Sequence, residues 1–136
     1  NLESICFSEA WSEETLLDAF SHGTKLLVAE KSGKVLGYVG ISCILDEGYI
    51  TNIAVFPDYR KQGVATALIN ELFSLAEDLS LSFISLEVRE SNLSAISLYE
   101  KMGFEKVGTR KNFYRDPVEN ANIMTKRFDT DENFSN

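Results

Sequence analysis

The sequence predicts an α/β (α+β) domain, a mixed β-sheet with helices on its faces. Three observations predict it. Short runs rich in Val, Ile and Leu, bounded by Gly, Ser and Pro, recur along the chain. From Val64 the apolar residues switch to the i, i+3, i+4 spacing of an amphipathic helix. A strand–helix–strand order from Tyr49 to Val88 requires a parallel pair joined by a right-handed crossover, while the hairpins around it require antiparallel pairing.

Each element has its own signal. Ser12 suits an N-cap, with Glu13 and Glu14 in the first turn, where the helix dipole favours anions. That predicts a short helix to about Ser21. "KLLVAEK" and "VLGYVGISCIL" read as strands joined by the tight turn "SGK". "GYITNIAVF" reads as a third strand, closed by Pro57. Val64, Ala67, Leu68, Leu72, Leu75, Ala76 and Leu79 then mark one face of a helix. "SFISLEV" has period two, with Phe83, Ser85 and Glu87 on one face and Ile84, Leu86 and Val88 on the other. Ser91 or Asn92 caps a further helix through Met102, and Gly103 ends it. "FEKVGTRKNFY" and "ANIMTKRF" read as two last strands. The 136 residues suit one domain, over 1–128, with a frayed acidic tail over 129–136.

Composition excludes several function classes. A net charge of −8 argues against direct nucleic-acid binding, which needs a basic surface. It suits a basic peptide or protein partner, and equally plain solubility. His22 is the one histidine, so a His-based triad or a multi-His metal site is not expected. Cys6 and Cys43 have no metal-type spacing and read as reduced core thiols of a cytoplasmic protein. No apolar run reaches the ~18 residues of a membrane span.

The stretch "FPDYRKQGVATALINELF" carries the first functional signal. A charged loop holding Arg60, Lys61 and Gln62 meets Gly63, and the helix follows at once. The first turn of a helix presents unpaired N–H groups and the positive end of the dipole. Gly63 removes a side chain where a ligand would approach the backbone. The result reads either as a phosphate cradle or as a simple turn. It matches neither a P-loop nor a dinucleotide fingerprint.

"RKQGVA" resembles the Arg/Gln-x-x-Gly-x-Gly/Ala motif of GCN5-related N-acetyltransferases, with Arg60, Gln62, Gly63 and Ala65 matching. "SLEVRESNLSAISLYEKMGFEKVG" resembles the second half of that fold, and within the family the ribosomal-protein alanine N-acetyltransferases. Leu86, Glu87, Val88, Arg89, Ser91, Asn92, Ala95, Leu98, Tyr99, Gly103 and Phe104 match. "CFSEAWSEE" resembles the family's Cys-Phe-x-x-Pro-Trp-Ser segment, with Ala10 in place of Pro. The resemblance covers nearly the whole chain. It implies the family's fold, with the usual first strand expected before Asn1 and missing here.

It also implies acetyl-CoA as co-substrate, with no metal. Arg60, Lys61, Gln62, Gly63, Val64, Ala65 and Thr66 would hold the pyrophosphate. Ile53, Ala54 and Val55 would pair with the pantetheine like an added strand. Asn92 would contact the same arm, and it also suits a helix N-cap. Acetyl transfer to an amine needs a base for the amine proton and an acid for the departing thiolate. The resemblance assigns Glu87 as general base and Tyr99, beside the cofactor, as general acid. Without it, Glu87 reads more readily as a solvated or salt-bridged strand residue, with Arg89 on the same face as a partner, and Tyr99 as a core aromatic.

The resemblance further implies a protein N-terminal acceptor, the N-terminal alanine of a small-subunit ribosomal protein. An α-amine (pKa ~7.7–8.0) is far easier to deprotonate than a Lys side chain (~10.4), which suits one carboxylate base. Lys side chains and small-molecule amines remain alternatives, as does a CoA-binding module without turnover. Trp11, Glu87 and Tyr114 are the expected acceptor-site residues. The acceptor loop departs from the family's Tyr-Tyr, Gly and Glu-Asp-Ala pattern: Phe113 and Tyr114 form the aromatic pair, Val118 stands near the Gly and Asn120 near the Asp.

Overall fold

The computed structural model describes residues 6–10 and 24–128. The strands are β1 (Cys6–Ala10), β2 (Thr24–Lys31), β3 (Lys34–Ile44) and β4 (Glu47–Val55), followed after α1 (Val64–Asp78) by β5 (Phe83–Arg89). Then come α2 (Leu93–Lys101), β6 (Glu105–Tyr114) and β7 (Glu119–Arg127). They form one seven-stranded mixed sheet in the order β1-β2-β3-β4-β5-β7-β6. β4 and β5 run parallel, as the strand–helix–strand order requires, and every other neighbouring pair is antiparallel. The helix expected over Ser12–Ser21 and the tail 129–136 lie outside the described residues.

Cys6–Ala10 forms a strand that the sequence did not predict at that place. Cys6–Ala10 pairs antiparallel with Leu26–Glu30 along the edge of β2. "CFSEA" carries little strand propensity of its own, so the edge it satisfies decides its state. β7 also inserts between β5 and β6, an order that strand propensities do not specify.

The core forms where α1 packs on β2, β3 and β4. Leu68, Ile69 and Leu72 of α1 are fully buried with Val39, Ile41, Ile84 and Met124 of the sheet. Leu68 and Leu72 belong to the helical stripe read from the sequence, Ile69 widens it, and their burial drives the assembly. Cys43 is a free, half-buried thiol whose pKa is raised by burial, which suits a packing role.

Two local features open the sheet. The β3–β4 register slips between Gly40 and Ile41, leaving Thr51 as an extra residue on β4. Glycine suits that place, because a Cβ on Gly40 would lie 2.6 Å from Thr51 Oγ1 and 2.8 Å from Asn52 Oδ1, and those side chains would have to turn away. The parallel pairing of β4 with β5 covers only Glu47–Tyr49 against Phe83–Ser85. Both strands run on past it, so residues 50–55 and 86–89 diverge and enclose a wedge.

Candidate active site

The wedge leads into two adjoining cavities. The larger, of about 420 Å³, runs from β4 to the start of α1 and across to α2. Ile53, Ala54, Val55, Arg60, Lys61, Gly63, Val64, Ala65 and Thr66 line it, together with Tyr99. The smaller, of about 320 Å³, lies between the diverging strands and is lined by Glu87, Asn92, Tyr99 and Tyr114, among others. Ile53, Ala95 and Tyr99 line both cavities.

The glycine meets the start of α1 where the sequence places it. Gly63 is the N-cap of α1 at φ +83°, in the left-handed region, and no side chain caps the helix there. Lys61 is also left-handed, at φ +62°. Alternating such residues turns successive N–H groups toward one side, a geometry that binds anions. A phosphate fits this donor set: open backbone N–H groups, the positive end of a 15-residue helix and two cationic side chains.

Gln62 departs from its expected place. Its Nε2 donates to the Asp58 carbonyl at 3.0 Å, and the residue does not line the cavity. The side chain closes the loop from within, and Arg60 Nε braces the same loop by donating to the Val55 carbonyl at 3.0 Å. The sequence did not single out Tyr59 and Ser94, which line the larger cavity beside Ala95 and Leu98 of the family motif. Ala95 lies one turn before Tyr99 on α2, and Leu98 follows Ala95 by three residues, so helical spacing places both beside the cavity.

Asn92 takes its reading as a helix N-cap. Its Oδ1 accepts from the Ala95 N–H at 3.2 Å as the cap of α2, and it lines the smaller cavity. Tyr99 is buried, with its ring 5.6 Å from Phe104. Burial, and then the neighbouring Tyr114, push its pKa up to about 12. Trp11 lies outside the described residues.

Glu87 pairs differently from the sequence expectation. Its partner is Arg110 of β6, with Nε 2.8 Å from Oε2. Arg89 turns instead to the β6–β7 hairpin. It donates to Glu119 Oε1, the Pro117 carbonyl and the Arg115 carbonyl, each at 3.1 Å. Its guanidinium also lies 4.4 Å from the Tyr114 ring centroid. Glu119 Oε2 accepts from the Ser91 N–H at 2.6 Å, and this bond and the Arg89 ion pair hold its carboxyl below the usual range. One arginine therefore ties the β6–β7 hairpin and Tyr114 to β5. Burial, and then the Glu87 charge, raise the Tyr114 pKa.

The raised Tyr99 pKa has a measurable consequence. Below pH 10 the phenol is protonated whether the chain is folded or not. Between the ordinary value of 10 and the folded value of about 12, only the unfolded chain ionises freely. Stability is therefore lost as pH rises through that window, by about 1.4 kcal/mol per pH unit. Urea midpoints at pH 10 and 12 are expected to fall less for Tyr99→Phe than for the wild type. The difference should reach roughly 2–3 kcal/mol, and equal losses would mean that the phenol is open to water.

Residues 1–104 match the model of the Acetyltransferase (GNAT) family. The chain belongs to that family. The [ribosomal protein bS18]-alanine N-acetyltransferase of Escherichia coli is 37% identical over 128 residues, covering 91% of this chain and 85% of the relative. An N-alpha-acetyltransferase of Saccharolobus solfataricus is 36% identical over 118 residues, covering 77% and 70%. A crystal structure of the Escherichia coli ribosomal-protein alanine N-acetyltransferase superposes with a TM-score of 0.82 at 30% identity, covering 96% of this chain and 99% of that one. This chain is an acetyl-CoA-dependent GNAT N-acetyltransferase. Among its described residues no helix is long and apolar enough to cross a membrane.

Proposed function

We propose that this GNAT domain acetylates a protein N-terminal α-amine, that of a ribosomal protein beginning with alanine. Glu87 is the general base and Tyr99 the general acid. One observation carries the reading: Tyr99 stands at the junction of two cavities, one opening on the helix-terminal cradle and the other lined by Glu87. The names of the relatives supply the acceptor class.

The residues divide the work. The Gly63–Thr66 backbone, Arg60 and Lys61 take the pyrophosphate, and residues 53–55 offer an unpaired strand edge to the pantetheine. Asn92 stands at the adjoining helix end. The amine nitrogen attacks the thioester carbonyl, and the bond from carbonyl carbon to sulfur breaks. Glu87 takes the amine proton, directly or through water, and Tyr99 protonates the departing sulfur. A phenol with a pKa of about 12 is a weak donor toward a solvated thiolate. The burial that raises Tyr99 acts equally on a thiolate beside it, which narrows the mismatch. Tyr114 and the hairpin held by Arg89 form the acceptor side.

The test is a basic peptide that begins with Ala and contains one Lys, offered with acetyl-CoA beside an N-terminally blocked copy. Fragment mass spectrometry is expected to place the acetyl group on the free Ala alone. Acetylation of Lys in both peptides would reassign the enzyme to side-chain amines.

A further inference from the structure

We propose that Arg110 is a positioning residue for Glu87: it holds one carboxylate oxygen from behind and leaves the other to the acceptor cavity. This inference rests on the reading of Glu87 as the base. It begins with sheet register. Glu87 of β5, Ile123 of β7 and Gly108 of β6 form one cross-strand row, and Arg89, Ala121 and Arg110 form the next. Residues in register share a face. Arg110 therefore reaches Glu87 on a diagonal across β7, and the fully buried Ala121 is the small residue in its own row. Arg89, which the sequence offers as the partner two residues away, is taken by Glu119 and the hairpin carbonyls.

The contact has the geometry of a brace. A single Nε–Oε2 approach of 2.8 Å fixes the carboxylate and leaves Oε1 without that partner. Glu87 lines the smaller cavity and Arg110 does not. The guanidinium also lies 5.8 Å from the Phe113 ring centroid, in reach of a second, weaker contact. Two other roles fit poorly. The side chains are 58% and 30% exposed, so the pair adds little to stability. A guanidinium beside the site repels a cationic acceptor, so it does not account for acceptor binding.

The experiment compares steady-state kinetics of the full chain for Arg110→Gln, Arg110→Lys, Glu87→Gln and the double variant Glu87→Gln/Arg110→Gln. The acceptor is the Ala-first peptide, and thermal melts run alongside. Arg110→Gln is expected to lower kcat about tenfold or more, with the peptide KM unchanged or lower and the melting temperature unmoved. Arg110→Lys should recover kcat to within about threefold, since a single cationic contact suffices. In the Glu87→Gln background the same Arg110→Gln change should cost less than about twofold, because the carboxylate it positions is gone. Equal losses in both backgrounds, or a rise in peptide KM at constant kcat, would overturn the inference. So would wild-type kcat in Arg110→Gln beside an inactive Glu87→Gln, which would leave the base reading intact. A fully active Glu87→Gln would instead remove the base reading itself, and this inference with it.

Discussion

Glu87→Gln is expected to slow Nα-acetylation by about 100- to 1,000-fold at pH 7, the range for losing a positioned general base. Acetyl-CoA affinity should stay within about twofold. The separation follows from place: Glu87 lines the smaller cavity and lies outside the lining of the larger one that carries the cradle. Gln keeps the shape of the side chain, and its carbonyl oxygen can still accept from Arg110 Nε, so packing changes little. What is lost is the charge and the proton site. The deficit should shrink between pH 7 and 9, because an α-amine with pKa ~7.7–8.0 arrives increasingly deprotonated without help. Single-turnover rates across that range decide the matter. A deficit that does not change with pH would mean that Glu87 orients the acceptor and removes no proton.

Much of this was legible in the residues because the signals are local. The change of period at Val64, the Asn92 cap and the cradle glycine each depend on a few neighbouring positions, and the structure places them as read. Trp11 is the one expected site residue outside the described segments. The family resemblance added roles that no spacing supplies, above all for Glu87 and Tyr99.

What the sequence hid is what depends on pairing across the sheet. The strand β1 exists because the β2 edge accepts it. The wedge exists because parallel pairing stops at Tyr49 and Ser85, near a bulge whose sequence trace is one glycine, Gly40. Arg89 and Glu87 stand two residues apart and look like partners. The insertion of β7 between β5 and β6 gives each a nearer one, Glu119 and Arg110. Gln62 matched a motif, yet its side chain is spent on the Asp58 carbonyl, so within that motif the backbone and the two cations face the cavity.

Gly63→Val tests the cradle directly and is expected to raise KM for acetyl-CoA by about 10- to 100-fold. Two effects act together. At φ +83° a β-branched residue is strained, so the loop shifts away from the conformation that aims its N–H groups. The new side chain also occupies the space where phosphate would meet the backbone. Losing about one hydrogen bond to a charged group, at ~1.5–3 kcal/mol, matches that range. Gly63→Ala should show a smaller rise, because it adds a single methyl group. At saturating acetyl-CoA both variants should keep kcat within about fivefold, since Glu87 and Tyr99 sit on β5 and α2, apart from this loop. Titration calorimetry with CoA separates binding from turnover. Unchanged CoA affinity in Gly63→Val would move the pyrophosphate away from the start of α1. A large loss of kcat with normal affinity would mean that the loop governs how the thioester is presented to Tyr99.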